Sequence, residues 1–404
     1  MMMEVSEHPE RIAIVGASAA GLSAAETLRR EGFRGGLTLI GSETLPPYKR
    51  PPLSKQVLSG DWSEERTHLR KEEELKALEA EWRLGVSASS LDRDNRRIVL
   101  NDGSTVNYDG LIVATGVAPR RLDTSEDLDG VHLLRTMNDA RRMRDQFVAG
   151  RHLVVVGAGF LGCEVAAVAR RIGMEVSLVD PLSAPMIRQL GSTVAREVDS
   201  LHAQHGTRIY AGVGVASLHG NGERLSEVRL TDGTVLQADL ALVAIGSTPN
   251  VDWLRNTGLS LSNGVDCDAY CRAAPDIVAA GDVASWEHPL FKRRVRLEHQ
   301  TNALEQGAAA AQALLGLAVE PFAPIPYFWS DQYNAKIQVY GMPHEQARTS
   351  IVRGEPGSGR FAAAYHLDGR LVAVLTWNMP RETLGLREEL RSSLNEQQTV
   401  PTAR

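Results

Sequence analysis

Cysteine is scarce: three residues in 404, at Cys163, Cys267 and Cys271. Three thiols build neither a disulfide framework nor a four-ligand zinc set. The eleven histidines show no H-E-x-x-H and no paired ligand spacing, so no metal site is expected. No G-x-S-x-G nucleophile elbow occurs either. Basic residues are not in excess, with 44 Lys and Arg against 50 Asp and Glu and a net charge of −6. That balance excludes a dedicated nucleic-acid binder. No stretch approaches the about 18 apolar residues of a membrane span. The start, MMMEVSEHPER, has acids and no apolar core, so the expectation is a frayed tail and no secretory signal. Together these absences predict a soluble, cytoplasmic chain.

What is present is glycine, 36 residues without a three-residue period, in a chain long enough for two or three domains. Arg11–Val15 is β-rich and ends at Gly16-Ala-Ser-Ala-Ala-Gly21. Leu22–Arg30 has helical composition, and Leu37–Ile40 closes a βαβ unit. The same grammar returns at Leu153–Val156, Gly157-Ala-Gly159-Phe-Leu-Gly162, a helix from Cys163 to Arg171, and a strand Val176–Val179 ending at Asp180. A second phrase repeats as well. Asp102-Gly103, Asp109 and Gly116 share the spacing of Asp232-Gly233, Asp239 and Gly246. Each reads as an Asp-Gly hairpin followed by a buried strand.

The duplication predicts an α/β fold with two Rossmann-like dinucleotide-binding domains, the second inserted into the first. Boundaries fall at 1–118 and 247–321 for the first and 119–246 for the second. Pro321, Pro324 and Pro326 read as a linker into a C-terminal α+β domain, 322–404. Strands are expected there at Ile337–Val339, Phe361–Tyr365 and Leu371–Leu375, with a hairpin at Asp368-Gly369. A closing helix is expected at Glu382–Leu394, then a mobile polar tail after Asn395.

In the second copy Gly157 permits the tight turn, Gly159 lets the backbone approach a pyrophosphate, and Gly162 allows close helix packing. Asp180 stands where an acid accepts hydrogen bonds from an adenosine ribose. A carboxylate there repels a 2′-phosphate, and no base follows until Arg188, so NADH is favoured over NADPH. In the first copy Ser18 replaces the middle glycine; it is small enough for close approach but restricts the backbone angles. Glu43 is either the ribose acid of that copy or a solvated turn residue.

Further words follow in order: Pro47-Tyr48-Lys49-Arg50-Pro51-Pro52-Leu53-Ser54-Lys55, Ala114-Thr115-Gly116, Leu134-Arg135-Thr136, Ala280-Gly281-Asp282, Thr301-Asn302-Ala303-Leu304-Glu305-Gln306-Gly307 and Phe328-Trp329-Ser330-Asp331-Gln332-Tyr333. On these words the chain, from about residue 11 to 390, resembles the NADH-dependent ferredoxin reductases. Those are putidaredoxin reductase-like flavoproteins that serve bacterial cytochrome P450 and Rieske oxygenase systems. The resemblance implies a glutathione reductase-like fold, with an NAD domain inserted in an FAD domain and a C-terminal interface domain. It implies cofactor contacts at Gly16, Ser18, Ala20, Gly21, Glu43, Arg50, Lys55, Ala88, Thr115, Gly116, Arg135, Gly157, Gly159, Leu161, Gly162, Glu164, Asp180, Arg188, Gly246, Gly281, Asp282, Gln300 and Trp329.

By that resemblance Lys55 and Glu164 form the catalytic pair, with the ammonium near flavin N5; on composition alone both read as surface charges. Pro51 and Pro52 preset a helix start that would hold Lys55 on a rigid element. Asp282 would bond the ribityl chain, Arg135 would reach FAD from the crossover, and Gln300 would contact the ring through its backbone where the family more often has an aromatic. Trp329 would cover the flavin or nicotinamide; without the motif it reads as core.

No cysteine precedes Gly162, where the thiols of the fold's disulfide reductases would sit, so all three read as small buried hydrophobes. The expected function is an FAD-containing NADH:ferredoxin oxidoreductase. It would pass single electrons to a [2Fe–2S] ferredoxin, or a rubredoxin, that supplies a P450 or Rieske oxygenase. An NADH oxidase and a redox-sensing flavoprotein of the same fold are the alternatives. No nucleic-acid or membrane partner is expected, and the chain would be a monomer or homodimer. Lys292-Arg293-Arg294-Val-Arg296 is either a solvated hairpin or a docking surface for an acidic ferredoxin, with Arg141-Arg142-Met-Arg144 competing for that role.

Overall fold

The duplicated phrases become two parallel sheets. The computed structural model describes residues 9–123 and 128–399, which divide into two units. The first comprises the chain up to Lys49, Thr67–Ala118 and Pro249–Pro326. Its sheet runs in the order Arg272–Ala274, Ile277–Ala279, Gly110–Val113, Arg11–Val15, Gly36–Gly41, Glu81–Leu84. All neighbours are parallel except the edge strand Arg272–Ala274. Gly110–Val113 is buried at every position, as a central parallel strand covered on both faces must be. Helix Ala19–Arg30 buries Leu22, Ala24, Ala25 and Leu28 and lies against helix Gln300–Leu314. Gly307 makes that approach possible: a Cβ there would stand 2.3 Å from the Ala20 carbonyl oxygen.

The second unit comprises Arg50–Arg66, Pro119–Thr248 and the chain from Tyr327 onward. Its parallel sheet is ordered Arg208–Ala211, Glu175–Asp180, His152–Val156, Leu240–Val243, Val131–His132. Helix Phe160–Ile172 packs on this sheet. A five-stranded antiparallel sheet follows, ordered Tyr327–Gln332, Ala335–Gly341, Arg370–Trp377, Arg360–Leu367, Arg348–Glu355.

Three sequence expectations are corrected here. Strand Tyr327–Gln332 is absent from the sequence reading because its inward residues are polar: Ser330 and Gln332 are both fully buried. Strand Arg348–Glu355 is missed because it has no buried position. The closing helix spans Pro380–Thr399, so the tail does not begin at Asn395; Glu and Gln carry the helix on. The expectation for the extreme N-terminus lies outside the described residues.

Candidate active site

The two glycine loops match at the level of single hydrogen bonds. In the first, Gly16 N–H donates to the Ile40 carbonyl (2.7 Å), Ala114 N–H to Val15 (2.7 Å), and Arg11 N–H to Asp109 Oδ2 (2.9 Å). In the second, Gly157 N–H donates to Val179 (2.8 Å), Ala244 N–H to Val156 (2.7 Å), and His152 N–H to Asp239 Oδ2 (2.9 Å). The Asp-Gly turns match too, with Ser104 N–H on Asp102 Oδ1 and Thr234 N–H on Asp232 Oδ1. The repeated aspartates are therefore the fasteners of each sheet.

The outer glycines of each loop are required by the protein itself. Gly16 and Gly157 have φ of +122° and +104°. A Cβ on Gly21 or Gly162 would lie 1.9 Å from the carbonyl oxygen of Gly16 or Gly157. Gly159 differs: its φ is an ordinary −80°, and a Cβ there would meet only Gln189 Nε2, at 3.5 Å. Ser18, its counterpart, adopts φ −123°, which any residue tolerates, so the substitution carries no strain. Neither helix start has a side-chain cap, at Ser18 or at Gly159. Uncapped N–H groups at the positive end of a helix suit a pyrophosphate.

The two acids behave differently from free ligands. Asp180 Oδ2 accepts from Ala158 N–H (2.7 Å) and Oδ1 from Leu182 N–H (2.8 Å), so it ties the strand end to the glycine loop. Glu43 accepts a hydrogen bond from the Tyr48 hydroxyl through Oε2.

Lys55 and Glu164 meet. Pro51–Ser54 forms the short helix that Pro51 and Pro52 start, and Lys55 follows it. Lys55 Nζ lies 2.6 Å from Glu164 Oε2, with side chains only 10% and 7% exposed. Glu164 also accepts from Ser54 Oγ (2.6 Å) and Ser330 Oγ (2.9 Å). A charge pair this buried is retained only where geometry and extra hydrogen bonds offset its desolvation.

Comparison with known proteins fixes the family. The model of the family described as pyridine nucleotide-disulphide oxidoreductase matches residues 10–307, and a reductase C-terminal model matches residues 327–400. The chain belongs to this family. It is 36% identical to rhodocoxin reductase of Rhodococcus erythropolis, over 95% of this chain and 90% of that protein. It is 37% identical to the ferredoxin–NAD(+) reductase component of the anthranilate 1,2-dioxygenase system of Burkholderia cepacia, over 91% of each. The crystal structure of the covalent putidaredoxin reductase–putidaredoxin complex superposes with a TM-score of 0.92 at 32% identity, covering 96% of this chain and 94% of that one. This pyridine nucleotide-disulphide oxidoreductase is thus of the ferredoxin reductase type, an oxidoreductase using a flavin and NAD(H). The uncapped helix starts, with nothing nearer than 3.5 Å to a Cβ on Gly159, fit such nucleotides. Among its described residues no helix is long and apolar enough to cross a membrane.

The remaining sequence-predicted residues of this oxidoreductase fall into groups within each unit. Thr115 Oγ1 donates to the Asn250 carbonyl (2.8 Å) and Asn250 Nδ2 donates back to the Thr115 carbonyl (2.9 Å), just before Gly116. Gly281, next to Asp282, gives its N–H to Gln306 Oε1 (2.9 Å). A Cβ on Gly281 would press on Ala20. Gln300 opens helix Gln300–Leu314, with its Oε1 buried and unpartnered among the described residues. Ala88 starts an antiparallel ribbon of the first unit. Arg50 Nη1 reaches the Arg135 carbonyl at 2.6 Å. Leu161 and Arg188 sit in the first turns of their helices, Gly246 follows strand Leu240–Val243, and Trp329 stacks on Tyr327. The sequence carries no signal for Asn250, Gln306, Ser54, Ser330 and Gln332, because each acts through a neighbour and has no motif chemistry of its own.

The basic run forms a hairpin, with strand Arg293–Val295 pairing Ala284–His288, and Lys292, Arg293 and Arg294 are exposed. Arg294 binds the Cys267 and Ser285 carbonyls, and Arg296 binds the Asp282 carbonyl and Glu298. Arg141 likewise holds Glu64, and Arg142 holds Asp139. All three cysteines are free and buried. Burial raises each thiol, that of Cys267 to about 12 and those of Cys163 and Cys271 further, so none is a nucleophile. Cys267 ends strand Val265–Cys267.

Proposed function

We propose that this chain is an FAD-containing NADH:ferredoxin reductase that delivers single electrons to a [2Fe–2S] ferredoxin serving a P450 or Rieske oxygenase. In this reading residues 1–118 and 247–321 bind FAD, 119–246 bind NADH, and 322–404 form the interface domain. The observation that carries it is the buried Lys55–Glu164 pair, held in the same unit as the open Gly159 loop. A bound flavin supplies the chemistry, accepting two electrons from a hydride and releasing them one at a time. The protein's part is placement and charge. Gly157, Gly159 and Gly162 admit the pyrophosphate to the uncapped helix start, and Asp180 presents negative charge where a 2′-phosphate would be repelled. Lys55 supplies a desolvated positive charge opposite the negative charge that accumulates on reduction. Hydride transfer demands no general acid, and no titrating thiol is available to divert it.

The test is NADH-driven cytochrome c reduction with and without added [2Fe–2S] ferredoxin, alongside chromatography of the flavin released on denaturation. A large ferredoxin-dependent rise and release of FAD are expected. A yellow protein whose rate ignores ferredoxin would make it an oxidase or sensor instead.

A further inference from the structure

The Lys55–Glu164 pair is the inner end of a longer array that runs through three elements of the second unit. Glu164 Oε1 takes the hydrogen of Ser330 Oγ at 2.9 Å. An ionised carboxylate can only accept, so Ser330 gives its one hydrogen there and offers its lone pairs elsewhere. Gln332 Nε2 fills that place at 3.0 Å and gives its second hydrogen to Met186 Sδ at 3.2 Å. This orients the amide, leaving Gln332 Oε1 to face His202 Nε2 at 3.0 Å. His202 must therefore carry its proton on Nε2. Its Nδ1 is then an acceptor for the Tyr333 hydroxyl, 3.4 Å away, which in turn lies 3.1 Å from Thr207 Oγ1. One charge at Glu164 sets every donor in the series.

Such an arrangement is costly as packing. Ser330, Gln332 and His202 are each 0% exposed. Apolar residues of similar volume would fill the same space without the desolvation that a partly satisfied polar network risks. The array instead converges on one carboxylate. Lys55 Nζ gives hydrogens to Glu164 Oε2 (2.6 Å) and Ser54 Oγ (3.3 Å), so fixing the carboxylate fixes the direction of its third N–H.

We propose that Ser330, Gln332 and His202 are positioning residues, which lock the plane of the Glu164 carboxylate and thereby aim the free N–H of Lys55 at the flavin. The proposal rests on the reading that Lys55 faces a bound flavin. Ser330→Ala removes the donor to Glu164. His202→Leu removes the outer anchor, whereas His202→Gln restores a donor for Gln332 Oε1.

The limiting rate of flavin reduction by NADH should fall about tenfold in Ser330→Ala and several-fold in His202→Leu. It should recover in His202→Gln, with the Kd for NADH within twofold throughout. The flavin midpoint potential should drop in the same order. Unchanged rates and potentials, with only the melting temperature altered, would reduce the array to structural packing and overturn the proposal.

A flavin-independent arm uses nitrogen-15 NMR of histidine-labelled holoprotein, with His202→Gln to assign the signal. The array requires the Nε2–H tautomer in the unsubstituted protein and loss of that preference in Ser330→Ala; an Nδ1–H tautomer would overturn it. If the unsubstituted protein is not reduced by NADH at all, the functional reading fails, and the tautomer measurement still judges the array.

Discussion

Gly159 and Gly162 are the same residue one helical turn apart, yet they answer to different constraints. Gly162 is squeezed by the Gly157 carbonyl, whereas nothing in the protein crowds Gly159. Gly162→Ala should therefore destabilise the protein by about 3 kcal/mol or more, as backbone overpacking does. Gly159→Ala should cost about 1 kcal/mol or less, the loss of a tolerable N-cap residue, while raising KM for NADH tenfold or more. Thermal melts and steady-state kinetics on both variants separate the two roles. The glycines are legible in the sequence because conformation and contact demand that residue alone. Ser330 and Gln332 are not legible as partners of Glu164: two inward polar residues on a strand invert the usual alternation, and only the fold brings them to a helix far off in the chain.

Asp180 is an element-scale residue, since it joins the end of strand Glu175–Asp180 to the glycine loop and to the turn after it. From the sequence its role is that of a ribose acid; the backbone hydrogen bonds it accepts have no sequence signal, because any short polar side chain could make them. Replacing it has two consequences. Asp180→Arg should lower kcat/KM for NADH at least tenfold, and it should also cost about 1–3 kcal/mol by stripping Ala158 and Leu182 N–H groups of their acceptor. NADPH use should rise less than the change in charge alone would give. Parallel kinetics with both nucleotides and a thermal melt check this, and an unaltered preference with unaltered stability would contradict both roles. The basic hairpin teaches the same lesson: Arg294 and Arg296 look like plain surface charge in one dimension, and in three each also ties backbone carbonyls of neighbouring segments together.

Across the whole molecule, buried histidines couple stability to acid. His202 in the second unit and His288 in the first are each lowered by burial from 6.5 to about 4. They stay neutral in the folded protein while the unfolded chain takes up protons, so stability is full above about pH 6.5 and falls as pH drops toward 4. Each histidine accounts for up to ~3 kcal/mol over that window. The melting temperature should fall steeply between pH 6.5 and 4.5, and His202→Gln should flatten part of that slope. A profile untouched by the substitution would remove His202 from the account.

The first unit is assembled from stretches at opposite ends of the two-domain region: helix Ala19–Arg30 needs helix Gln300–Leu314 against it, and strand Gly110–Val113 needs Ile277–Ala279. The ribosome makes these halves far apart in time. Throughout synthesis of the second parallel sheet, whose strands are all made by Val243, the N-terminal βαβ unit waits with an uncovered helix face and an unpaired strand edge. The first unit is begun before the second parallel sheet and finished after it, and a nascent chain stopped short of Leu314 exposes the surface that Gly307 is shaped to cover.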